Sequence, residues 1–116
     1  MEITSFNNEL VFEDKIKTKV VLETSFSKEI RIVMKKGQEM KEHKTKFPII
    51  VHVLEGLVDF GVKGKIHAFD SGSIISLDDN IPHDLFAKKD SIVRLTLSKQ
   101  DTVDRVEKVI DDSTKQ

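Results

Sequence analysis

The chain has 116 residues, 38% hydrophobic and 34% charged, the make-up of one ordinary globular domain rather than a disordered chain. Nineteen Lys and Arg against 20 Asp and Glu leave a formal charge of -1, and Arg31, Arg94 and Arg105 are the only arginines. No whole-molecule field draws it to nucleic acid or to an anionic membrane, and guanidinium forks for phosphate are scarce. Cysteine is absent, which excludes disulfides, thiolate metal sites and cysteine nucleophiles.

The amino terminus, "MEITSFNNEL", has neither a basic nor an apolar signal region, so no secretory signal is expected and the chain reads as cytoplasmic. A first strand is expected around Leu10 to Phe12. "KVVLET" follows, continuously apolar enough to predict a strand covered on both sides. In "KEIRIVMKK", Ile30, Ile32 and Met34 alternate with Arg31, Val33 and Lys35, the period of a half-buried strand. Lysines 35, 36, 41, 44 and 46 then form a solvated face.

"PIIVHVLE" reads as another strand covered on both sides, and the apolar run containing it is too short to cross a bilayer. "LVDFGV" puts Val58, Phe60 and Val62 on one face, and in "KGKIHAFD" His67 shares parity with Phe69. "SIISL" is again continuously apolar, while "SIVRLTLSK" sets Val93, Leu95 and Leu97 against Ile92, Arg94 and Thr96. Turn signals at "KKGQ", "LEGL", "VKGK", "DSGS" and "DDNIP" separate these segments as an all-β sandwich or barrel requires. Gly56 and Gly64 are expected at positive φ. The tail "QDTVDRVEKVIDD" alone reads as helix, about 101–111, with Asp101 as cap and Val103, Val106 and Ile110 on one face. So short a helix needs a surface to dock on. The chain 1–116 is thus expected to be a single domain with a barrel core over about 18–99.

Glycines and histidines fall in a pattern that resembles the cupin family of small jelly-roll barrels. The first family motif is glycine, five residues, His-x-His, three or four residues, glutamate, six residues, glycine. Gly37, His43 and Gly56 occupy their places in it, while Thr45 stands at the second histidine and Ile49 at the glutamate. The second motif is glycine, five residues, Pro-x-Gly, two residues, histidine, three residues, asparagine. Gly72 and His83 are on frame, and Asp78, Asn80 and Ala87 replace the proline, second glycine and asparagine. Asparagine tolerates the left-handed backbone that a glycine there would adopt. The resemblance covers roughly residues 20–99.

It implies an all-β cupin-type barrel and a possible divalent metal (Ni, Mn, Fe, Cu or Zn) held by three histidines and a carboxylate, since neutral imidazole suits these metals and the carboxylate offsets their charge. His43 and His83 are the metal-ligand candidates that remain. Thr45 is a poor ligand and Ile49 cannot coordinate. His52 lies an odd number of residues from Ile49, so alternation turns it to the other face. Thr45, Ile49, Val51, Phe60 and His67 are expected to line the pocket.

Three functions follow. The first is a binding or sensory module holding a small molecule in the barrel interior, favoured by Ile49 in place of the carboxylate. The alternative is a divalent-metal-dependent oxygenase, isomerase or lyase using His43 and His83 with a third donor. The third is a structural or oligomerisation protein whose barrel is simply filled and holds no ligand. A homodimer is expected, formed through the strand around Leu10 to Phe12 or the one carrying His52.

Overall fold

The computed structural model describes residues 1–99 and Ile110. Among these residues nine strands run in chain order: β1 (Lys17–Glu23), β2 (Ser27–Met34), β3 (Glu39–His43), β4 (Ile49–Glu55), β5 (Leu57–Val62), β6 (Lys65–Asp70), β7 (Ile74–Leu77), β8 (His83–Ala87) and β9 (Ser91–Ser98). They form two antiparallel sheets, one ordered β1-β2-β9-β4-β7 and the other β3-β8-β5-β6. Only β1 to β2 and β5 to β6 stay within a sheet; every other connection between consecutive described strands crosses from one sheet to the other. The chain therefore winds as a jelly roll, the all-β architecture expected from the sequence.

Alternation fills the space between the sheets. Ile30, Ile32 and Met34 of β2, Ile49, Val51 and Val53 of β4, and Val93, Leu95 and Leu97 of β9 face Met40, Val58, Phe60, Leu85 and Ala87 of the opposite sheet. Each has left water almost completely, and such burial stabilises by about 1.5–3 kcal/mol for a larger side chain.

Three expectations about strand cover are corrected. β1, β4 and β7 are not covered on both sides: Val20, Ile50 and Ile74 are 38%, 41% and 61% exposed. β1 and β7 are sheet edges, and a continuous apolar run does not reveal whether a second layer lies over it. β2, by contrast, is buried on both faces. The amino-terminal segment crosses its outer side, where Arg31 Nη1 donates to the carbonyls of Phe6 (2.8 Å) and Asn8 (2.6 Å). The Phe6 ring lies 5.6 Å from the Arg94 guanidinium carbon, close enough for a cation–π contact. Leu10 to Phe12 is part of this strap and is not a strand.

Gly56 shows why one turn demands glycine. Its φ is 112°, and a Cβ there would stand 2.2 Å from Ser91 Oγ and 2.6 Å from the Asp90 carbonyl. Asn80 takes φ 59°, so it adopts the left-handed backbone for which asparagine is suited. The helix expected over 101–111 lies outside the described residues apart from Ile110, which is helical and 5% exposed in the core cluster. Among the described residues no helix is long and apolar enough to cross a membrane.

Candidate functional site

β3 and β8 bring the two motif histidines together. Met40 pairs with Leu85 and His43 with His83, three residues on one strand against two on the other, so a bulge lies between Met40 and His43. Strict alternation would put Met40 and His43 on opposite faces; the extra residue lets both face the interior. The two motifs are also tied by their backbones. Gly37 N–H donates to the Ala87 carbonyl (2.8 Å), Ala87 N–H to Gln38 (2.9 Å) and Asn80 N–H to Thr45 (2.7 Å).

The His43 and His83 rings have centroids 4.3 Å apart at 60°. His43 Nδ1 lies 2.8 Å from the Lys41 carbonyl and His83 Nδ1 2.9 Å from that of Ile81. A carbonyl can only accept, so each Nδ1 carries a proton. Anchored in this way, both rings turn Nε2 away from the strand backbone. His83 is 2% exposed and stacks on Phe60, centroids 5.5 Å apart at 9°.

Around the pair is a small central cavity of about 20 Å³, lined by Met40, Thr45, Ile49, Val51, Leu85 and Leu95 among others. That volume accommodates about one water molecule. An organic ligand needs a pocket of about 300–1,000 Å³, so the barrel centre does not seat one. Thr45 is 5% exposed and donates its hydroxyl to the Phe47 carbonyl at 2.6 Å. Ile49 contributes only methyl and methylene groups. Two imidazoles, an engaged hydroxyl and an alkyl wall do not fit the three-histidine, one-carboxylate set. Among the described residues no group of three or more His, Cys, Asp or Glu could hold a metal.

Phe60 and His67, expected in the same pocket, lie elsewhere. They line a lateral groove of about 340 Å³ with Val62, Phe69, Ile75, Ser76 and Leu77. The groove forms between β6 and β7, edge strands of different sheets that, among the described residues, pair only with β5 and β4. His67 stacks on Phe69, centroids 6.0 Å apart at 14°, and Phe69 tilts against Phe60 at 5.6 Å. One line of rings therefore runs from His43 through His83, Phe60 and Phe69 to His67. Sequence parity had grouped Phe60 with Val62 and His67 with Phe69, but gave no signal for Ile75 or Leu77 as groove walls.

On the outer face of the β1-β2-β9-β4-β7 sheet, Glu29 accepts from Arg94 Nε (2.9 Å), Thr96 Oγ1 (2.5 Å) and Ser27 Oγ (2.8 Å). Burial pushes its carboxyl upward as the largest single effect, but the hydrogen bonds from Thr96, Ser27 and Arg94 together outweigh it and hold the pKa below its ordinary value. His52 lies on the same face, half-buried and in register with Arg94 and Ile74.

No family model and no curated protein matches the chain. Solved structures do. An RmlC-like cupin protein from Desulfovibrio desulfuricans is 24% identical, with a TM-score of 0.75 over 84% of this chain and 96% of its own. An RmlC-like cupin from Shewanella frigidimarina is 22% identical, with a TM-score of 0.71 over 84% and 91%. An RmlC-like cupin family protein with a double-stranded β-helix fold, from Methanocaldococcus jannaschii, is 13% identical, with a TM-score of 0.67 over 84% and 90%.

Proposed function

The chain has the cupin fold, and from that premise we propose that it is a small-molecule binding module whose ligand sits in the β6–β7 groove. The supporting observation is the make-up of the groove: at about 340 Å³ it has the room that the central cavity, about 20 Å³, lacks, and unlike the larger outer groove of about 610 Å³, whose walls include Glu29 and Arg94, it is walled by Phe60, Phe69, His67 and aliphatic side chains. The groove reaches the lower end of the range for small-molecule pockets, and its walls are mostly apolar with a single imidazole. Ile49 is consistent with the same reading, because it removes the one anionic donor the first motif would supply.

The test is mass spectrometry under non-denaturing conditions, comparing the parent with Ile75→Trp, which fills the groove from a partly buried edge-strand position. A molecule retained by the parent and lost from the variant is the expected result. A molecule retained equally by both would place the ligand elsewhere and overturn the reading.

A metal-dependent enzyme is the second reading, and the anchored Nδ1 protons of His43 and His83 favour it, since metal-binding imidazoles are commonly oriented in this way. It has two donors where the resemblance implies four. We also propose a homodimer formed through the strand carrying His52. Ile50, His52 and Ile74 are neighbours on that outer face, where Ile50 and Ile74 are exposed, and an unpartnered apolar patch of this kind suits a second copy.

A further inference from the structure

We infer that the β6–β7 groove selects planar aromatic acids; this rests on the reading of the groove as the ligand seat. The first support is the line of rings. His83 and Phe60 are stacked, as are Phe69 and His67, at centroid spacings of 5.5 and 6.0 Å. His67 ends that line as an exposed residue in the groove wall. A planar π-system laid on its outer face adds one more rung at the same spacing, a geometry aromatic pairs favour beyond simple area burial. A saturated ring of similar size has no flat face to offer.

The second support is charge. Among the described residues no acidic side chain lines the groove. Lys65 is the cross-strand partner of the groove residue Val62 and lies on the same face of β6 as His67 and Phe69. It is exposed, and no carboxylate lies within ion-pair distance of it among the described residues. A ring on His67 thus has an ammonium at the hairpin end of the groove for a carboxylate to meet. Asp78 and Asp79 follow Leu77 in the chain, and the comparison of benzoate with benzylamine reads the balance between them and Lys65.

Four probes decide the matter: benzoate, benzamide, benzylamine and cyclohexanecarboxylate, titrated into the full chain and followed through methyl resonances. Val62, Ile75 and Leu77 report on the groove, and Leu85 and Leu95 on the central cavity. Benzoate is expected to shift the groove methyls alone, at millimolar concentration. It should bind about threefold to tenfold more tightly than cyclohexanecarboxylate, the range an aromatic contact supplies, and more tightly than benzylamine. His67→Ala should abolish the preference for the aromatic over the saturated acid, and Lys65→Gln the preference for acid over amide. Both positions are exposed, so folding is not at issue. Equal affinity for the two acids, or for benzoate and benzylamine, overturns the inference while leaving the groove as a binding site. Groove methyls that respond to none of the four also overturn it.

Discussion

His43 and His83 are cross-strand partners with rings 4.3 Å apart, yet each sends its Nδ1 proton to the carbonyl two residues before it, Lys41 and Ile81. The pair is therefore set by the backbone on both sides. Proton-bearing Nδ1 atoms are expected in both residues, read from nitrogen-15 shifts and couplings of the two imidazoles. A bare Nδ1 on either ring would contradict the arrangement.

Metal response tests what Thr45 and Ile49 have taken away. Thr45→His with Ile49→Glu should complete a four-donor set beside His43 and His83. Without metal, the double variant should be less stable by several kcal/mol, on the order of 3, because a carboxylate replaces an alkyl group that is 3% exposed. Nickel, manganese or zinc should restore the loss by binding only the folded state, while the parent's midpoint moves little. Thermal unfolding across a metal titration measures both, with circular dichroism to show that the variant folds. A folded variant whose midpoint ignores metal would mean that the four positions do not converge.

Acid sensitivity should trace in part to Glu29. Its folded pKa is lowered, so its contribution is fully present above the unfolded carboxylate value, about 4.3. That contribution disappears as pH falls through the folded value. Glu29→Gln should cost roughly 2 kcal/mol at neutral pH, the scale of hydrogen bonds to a charged group. It should also flatten the stability profile below about pH 4.3. Urea unfolding of both proteins from pH 3 to 7 gives the comparison; parallel curves would remove Glu29 from the account.

A dimer is expected at micromolar concentration, twice the chain mass of 13.2 kDa. Light scattering measures it. Ile74→Lys should return the mass to one chain, because it puts a charge into the exposed apolar patch beside His52. A parent that scatters as a single chain contradicts the pairing.

Gly56→Ala should destabilise by more than about 1 kcal/mol, combining positive φ with a Cβ inside contact distance of the Asp90 carbonyl. Gly64→Ala, also at positive φ but with open space around it, should cost less. Chemical denaturation of the two variants separates backbone strain from collision.

Strands were readable wherever one face meets the core and the other meets water. Val58 and Phe60, or Val93, Leu95 and Leu97, sort inward by alternation alone. The outer side of β2 could not be read in that way. Arg31 looks like a solvent residue, and its burial depends on carbonyls 23 and 25 residues away, a contact that no local period encodes. The motif frame placed His43 and His83 together, and the bulge before His43 explains why alternation by itself does not. The split of one expected pocket into a cavity and a groove depends on where two sheets fail to meet. That is a property of strand order rather than of any residue.

β6 and β7 each have a hydrogen-bonded neighbour on one side only among the described strands, whereas β2 and β9 lie inside their sheet. Edge strands of this kind open to solvent by small local excursions, while interior strands wait for global unfolding. Deuterium should therefore enter the amides of Ile66 to Phe69 and Ile75 to Leu77 long before those of Ile30 to Ile32. A molecule lodged between the two edges would slow exchange there and leave the interior rates unchanged, so the barrel's weakest seam would also report its own occupancy.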